Sequence, residues 1–136
     1  CRYGSVDNGR WTIHEVNLTI GCAVHHWPVS GGPAYARYIA ARESGDLWFA
    51  TNKSSGACGI YQHMPSLWPG RVSYANHQLP RWNLASNCYD ARSNIIVAIR
   101  MAQAEDGGLG EDNVGTGPRR RSSVVSHQSS GVGGQF

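Results

Sequence analysis

Glu43 stands at the end of an amphipathic segment that begins at Pro33, immediately before Ser44-Gly45. A carboxylate at a helix C-terminus lies at the negative end of the macrodipole, and Trp48, Phe49, Ile60 and Tyr61 are apolar neighbours expected to desolvate it. Both effects raise its pKa. Moving a Glu from about 4.3 to roughly 6 disfavours ionisation by about 2.3 kcal/mol, which suits a group kept protonated to donate a proton. Position alone equally describes a surface Glu at a frayed helix end, so the reading depends on the elements that place it.

Gly31-Gly32-Pro33 breaks what precedes it, and Pro33 suits a first helical position because its locked φ is already helical. Tyr35, Tyr38, Ile39 and the stem of Arg42 recur at helical spacing and predict a core-facing stripe. Gly45 predicts the helix end. A polar loop containing Asn52 follows, and the chain becomes mostly apolar again at Cys58-Gly59-Ile60-Tyr61-Gln62. Pro69-Gly70 reads as a turn, and Arg71 to Pro80 as a long loop or an irregular short helix, with Tyr74 and Leu79 as its large apolar anchors. The clearest helix is 91–105, opened by Asp90 as N-cap. Ile95, Ile96, Ile99 and Ala102 form its stripe, and Val97, Ala98 and Met101 widen it into a helix central to the core.

The first thirty-two residues admit two readings. Asp7-Asn8-Gly9 is a hairpin-type turn and Arg10 to His14 alternates, predicting a short β-hairpin; Trp11, His14, Glu15 and Leu18 fit a short helix nearly as well. His25-His26-Trp27-Pro28 reads as a loop that packs Trp27 on the domain. Adjacent histidines on an extended segment point to opposite sides, so no metal site is expected there.

Four cysteines without C-x-x-C spacing argue against a zinc ribbon and for two disulfides in an oxidising compartment. Three pairings are possible, of which Cys1 with Cys22 and Cys58 with Cys88 is preferred. The 136 residues make one domain with a modest core. The net charge of +3 comes from eleven Arg and one Lys against nine acids, and Arg119-Arg120-Arg121 equals the whole excess. The remaining Arg are scattered singly, unlike the basic stripe of a nucleic-acid binder, so no nucleic-acid partner is expected. No apolar run approaches a membrane span, and the start at Cys1 reads as a mature or excised segment.

The order Glu43-Ser44-Gly45, Asn52, Ser55-Gly56-Ala57-Cys58-Gly59-Ile60-Tyr61-Gln62, Pro65, Trp68 resembles the signature of the lysozyme-like lytic transglycosylase superfamily, which includes soluble lytic transglycosylases and goose-type lysozyme-like domains of bacteria and phage. The resemblance covers about residues 34–105, and Asp90 to Ile95 looks like the family's Asp-x-x-x-Asn helix opening. One departure is the lack of an Ala-Tyr-Asn-Ala-Gly run, for which Tyr89 is the available substitute.

The resemblance implies a mainly α, α+β lysozyme-like domain with Glu43 as catalytic acid at its helix end. It implies substrate-binding roles for Ser44, Asn52, Gly59, Ile60, Tyr61, Gln62 and Tyr89; Trp48, Trp68 and Tyr89 are candidate sugar platforms, and a core role suits each at least as well. Glycosidic cleavage needs a proton delivered to the leaving oxygen, and a lysozyme usually adds a second carboxylate. Asp46 is too near in sequence to Glu43 unless the turn is unusual, Asp90 is better used as a cap, and Glu15 lies in the ambiguous region. One acid without a convincing partner is similar to the lytic transglycosylases, whose Glu protonates the glycosidic oxygen and then helps the sugar's own hydroxyl close a 1,6-anhydro ring.

The implied activity is thus cleavage of the N-acetylmuramic acid to N-acetylglucosamine bond of peptidoglycan. The alternatives are a hydrolytic lysozyme or endolysin, or a non-catalytic module that binds cell wall or chitin oligosaccharides. The expected organisation is a disulfide-tied extension over 1–32, a catalytic core over 33–106 and a flexible Gly-, Ser- and Arg-rich tail over 107–136. A secreted, wall-associated monomer with no cofactor or metal completes the expectation.

Overall fold

The computed structural model describes Cys1 and residues 11–78 and 82–105. Among these the protein is mainly helical, with four α-helices and no strand: α1 (Ile13–His26), α2 (Gly32–Ser44), α3 (Trp68–Gln78) and α4 (Ala91–Gln103). The predicted tail from 107 onward and the Asp7-Asn8-Gly9 turn lie outside the described residues.

Of the two N-terminal readings, the structure takes the helix from residue 13 on. Thr12 and Glu15 form a capping box: Thr12 Oγ1 accepts the Glu15 N–H at 3.1 Å, and Glu15 Oε1 accepts the Thr12 N–H at 2.8 Å. Thr12 to His14 are therefore a cap followed by the start of a first helical turn, and Ile13, His14 and Leu18 face solvent. Val16, Thr19, Ile20, Ala23 and Val24 make the buried face. The helix continues through His25-His26, which close its last turn and correct the loop predicted there. Trp27, buried as expected, caps it by donating its N–H to Ala23 O at 2.8 Å.

α2 begins and ends on left-handed glycines, Gly31 at φ 87° and Gly45 at φ 66°. A Cβ on Gly31 would sit 2.5 Å from Tyr35 Cβ, so close approach as well as φ demands glycine there. The buried face of α2 is Ala36, Ile39 and Ala40, not the predicted tyrosine stripe. Tyr38 is 56% exposed and Arg42 is exposed. Tyr38 lies outward against Tyr35, their rings 6.2 Å apart and 30° from parallel.

The predicted Pro69-Gly70 turn is instead the first turn of α3, where proline is tolerated because its missing N–H needs no helical partner. Trp68, Val72 and Ala75 recur at i, i+4 and i+7 and bury its inner face. α4 is the central element. Ile95, Ile96, Val97, Ala98 and Ile99 are all fully buried, and five consecutive residues at 100° each cover the whole circumference. Asp90 caps it by accepting the Ser93 N–H. α4 packs against α1 and α3, and α1 also packs against α2, so the segment expected as an extension supplies one wall of the core. Disulfides join Cys1 to Cys22 and Cys58 to Cys88.

Candidate active site

Between α2 and α3 the chain forms no strand, but isolated bridges pair Thr51 with Cys58 and Cys58 with His63. The Gly59–Gln62 turn lies inside the second bridge and is held on every side. Gly59 donates its N–H to Ala50 O at 2.8 Å, and Gln62 Nε2 donates to Ala50 O at 3.1 Å and Gly59 O at 2.9 Å. From α4, Asn94 Nδ2 donates to Cys58 O at 3.1 Å and Cys88 O at 2.9 Å. Gly59 has φ 79°, and a Cβ there would fall 2.1 Å from Asn94 Nδ2 and 2.7 Å from Cys88 O. No other residue fits.

This turn is bonded directly to the catalytic-candidate helix. Tyr61, fully buried, donates its hydroxyl to Ala36 O of α2 at 2.7 Å. Burial first, and the nearby Asp46 charge second, push the Tyr61 hydroxyl well above its ordinary pKa, so it remains a donor. On the other side, the Cys58–Cys88 bond and a contact between the Thr51 and Tyr89 hydroxyls tie the loop to the segment before α4.

Glu43, in the last turn of α2, is half-buried, and desolvation raises its pKa from 4.5 to about 7 against the smaller lowering effect of Arg42. Its carboxyl is thus poised to hold or release a proton near neutral pH. The other predicted residues divide. Gln62, Tyr89, Asn52 and Gly59 belong to the loop system just described. Gly59 and Gln62 are buried as Ile60 and Tyr61 are, so all four stand behind the site instead of lining it. Ser44 Oγ donates to Ala40 O at 3.2 Å and accepts the Asp46 N–H at 3.1 Å, which makes it a turn-forming residue. Asn52 Oδ1 accepts the N–H groups of Ser54 and Ser55 at 2.8 and 2.9 Å and shapes its own loop.

Two aromatic expectations change. Trp68 is only 5% exposed, its Nε1 donating to Ser86 O at 2.7 Å, and it is a core residue, not a sugar platform. Phe49, expected to bury Glu43, is 54% exposed and packs edge-on to half-buried Trp48, ring centroids 5.2 Å apart. A largely apolar pocket of about 230 Å³ beside α3, lined by Trp68, Pro69, Val72, Ser73 and Ser86, contains neither Glu43 nor the loop residues. That pocket holds no titratable group, so Glu43 remains the candidate acid.

The structure also adds residues. Asp46, at φ 65° directly after Gly45, makes the turn after α2 unusual, with two left-handed residues in succession. Its Oδ1 is buried without a partner, and desolvation raises its pKa. Glu15, the other candidate second carboxylate, is committed to the capping box, and Asp90 to the α4 cap. His63 is buried between Arg71 and α4: Arg71 Nη1 lies 3.2 Å from Nδ1, and Asn94 O lies 3.0 Å from Nε2. Arg71 only donates, so the proton is on Nε2. Burial first and the Arg71 charge second hold His63 down at about 3. The signal for Asn94 and His63 was their polar type inside otherwise apolar segments.

No protein-family description, curated protein or solved structure matches the chain.

Proposed function

We propose that this chain is a peptidoglycan-cleaving glycosidase of the lytic transglycosylase type, acting on the N-acetylmuramic acid to N-acetylglucosamine bond at the cell wall. One observation carries the reading: a half-buried Glu at a helix end, its carboxyl raised to about 7, on a helix to which a rigid turn is bonded at Ala36, in the sequence order that resembles that family. Protonated Glu43 gives its proton to the glycosidic oxygen as that bond breaks. The resulting carboxylate then takes the proton from the hydroxyl on carbon six of the muramic acid, whose oxygen attacks the anomeric carbon and closes the 1,6-anhydro ring.

The exposed Phe49 ring and its partner Trp48, six and five residues beyond Glu43, are the aromatic surface offered to a sugar face. Two disulfides suit action outside the cell. Among the described residues no helix is long and apolar enough to cross a membrane.

A second reading, hydrolysis by water, is favoured by one feature: the unpartnered buried oxygen of Asp46. Both readings require the acid, and the test of that requirement is Glu43→Gln, which keeps shape and removes the proton. Clearing of a cell-wall suspension should fall by about a hundredfold or more while the thermal unfolding midpoint is retained. Clearing within about tenfold of the unaltered protein would refute Glu43 as the acid, and binding without clearing by the unaltered protein would leave a non-catalytic wall-binding module.

A further inference from the structure

The last two turns of α1 bring together groups that the reading of His25-His26 as an extended pair overlooked. Cys22 and His26 are four residues apart on one helix and so project from the same face. Cys1 is joined to Cys22 across a Cα separation of 5.5 Å. The two sulfurs and a ring nitrogen of His26 all lie within 4.8 Å of one another. Ligand atoms about 2.0–2.3 Å from a tetrahedral zinc stand about 3.5–3.8 Å apart, so this spacing is within reach of side-chain rotation.

The imidazole is also restrained. Its centroid lies 5.5 Å from the Trp27 ring and 5.4 Å from the Trp82 ring, edge-on to the latter, with His25 at 5.7 Å. Aromatic neighbours on several sides limit the ring's rotation, which is the kind of orientation a ligating His needs. Cys1 and Cys22 are half-buried and His26 is exposed, so an ion has a path from solvent; Cys58 and Cys88 are buried and have no such access.

We propose that Cys1, Cys22 and His26 form a zinc site that opens when the Cys1–Cys22 bond is reduced. In the oxidised protein the sulfurs bond each other and no site exists. A dithiol delivers two electrons and two protons to the Sγ–Sγ bond, becoming a disulfide itself and leaving two protein thiols. Zinc then binds both sulfurs as thiolates and the neutral imidazole, with release of the two thiol protons, and water completes the tetrahedron. Two thiolates and an imidazole select zinc over hard cations such as magnesium or calcium. The link between Cys1 and α1 therefore persists in either redox state, covalent in one and metal-bridged in the other.

The test uses the full chain, cobalt(II) as a coloured probe, and zinc as competitor. A phosphine reductant opens the bond, water supplying the oxygen of the phosphine oxide, and alkylation mapping identifies the thiols released. The reduced protein should bind one cobalt, with sulfur-to-metal charge transfer and the intense visible bands of tetrahedral coordination, and zinc should displace it. The oxidised protein should bind none. Cys22→Ser should abolish the bands, and His26→Ala, a change at an exposed helix position, should weaken binding at least about tenfold. Absence of cobalt binding by the reduced protein, unchanged binding in Cys22→Ser, which would locate the metal at Cys58 and Cys88, or unchanged affinity in His26→Ala would each overturn the assignment.

Discussion

Asn94 Oδ1 accepts the backbone N–H of Tyr61 at 2.8 Å, joining α4 to the Gly59–Gln62 turn across 33 residues of sequence. The same side chain donates to Cys58 O and Cys88 O, so one amide serves three backbone groups from two loops. Asn94 is 1% exposed, and water cannot replace it.

Asn94→Ala therefore leaves two buried backbone groups, the Tyr61 N–H and Cys88 O, without partners, while Cys58 O keeps the His63 N–H at 3.0 Å. Each costs about 1–3 kcal/mol, so the variant should lose about 2 kcal/mol or more in urea unfolding. Asn94→Asp should recover only the Tyr61 bond, because a carboxylate cannot donate to the two carbonyls. A loss below about 1 kcal/mol for Asn94→Ala would show that the turn is held by other contacts.

The parts of this arrangement legible in the sequence were those set by local chemistry. The α2 stop at Gly45 and the Asp90 cap depend on backbone rules that act over a few residues, and both stand in the structure. The α2 face was misjudged because hydropathy favours burying Tyr38, whereas the core accepted the smaller Ala36 and Ala40 and left the tyrosine ring outside. α3 was obscured by two residues, Pro69 and Gly70, that break helices in the interior but not in a first turn. Asn94 stands in the helix opening that the sequence shows, but its bond to Tyr61 and that between His63 and Asn94 O span more than thirty residues, and no local pattern announces such partners.

Glu43 should give the protein a pH signature that its amide variant lacks. The folded-state value, about 7, lies above the unfolded value of 4.5. Below pH 4.5 both states are protonated and the contribution is fully present; between 4.5 and 7 the unfolded chain releases its proton first, and stability falls. Above pH 7 the loss is complete. After screening of the half-exposed side chain the difference should be about 1–2 kcal/mol. Glu43→Gln should consequently gain stability relative to the unaltered protein at pH 8 but not at pH 4, in parallel urea titrations. In wall clearing, kcat/KM of the unaltered protein should fall above about pH 7 as the acid form is lost. Equal stability differences at the two pH values would mean that Glu43 is solvated.

His63 carries the opposite sign. Its folded-state value, about 3, lies below the unfolded 6.5, so its stability is present above pH 6.5 and is lost as pH falls toward 3. Each unit below 6.5 costs about 1.4 kcal/mol while the unfolded chain holds one extra proton. From 4.5 to 6.5 the Glu43 and His63 slopes oppose each other, and below 4.5 His63 acts alone of the two. His63→Gln keeps a donor and an acceptor but does not titrate there, so its acid limb should be shallower. Parallel acid limbs for the two proteins would refute the buried neutral histidine.

The last prediction concerns the products. The structure removes Glu15 and Asp90 as water-activating carboxylates, since each is engaged in capping a helix, and leaves Asp46. Burial raises the pKa of Glu43 against the lowering effect of Arg42, whereas the Asp46 charge acts on the buried Tyr61 hydroxyl. Two carboxylates facing each other across a sugar would each raise the other. Asp46 Oδ1 is buried in the turn, and the nucleophile is expected from the substrate's own carbon-six hydroxyl, already held near the reacting carbon. Mass spectrometry of digested peptidoglycan should show 1,6-anhydro ends, lighter than reducing ends by one water. Asp46→Asn should leave that product ratio unchanged, with any loss of activity following a lower unfolding midpoint. Predominantly reducing ends that disappear in Asp46→Asn would instead make Asp46 the base and the protein a hydrolase, with Glu43 still the acid.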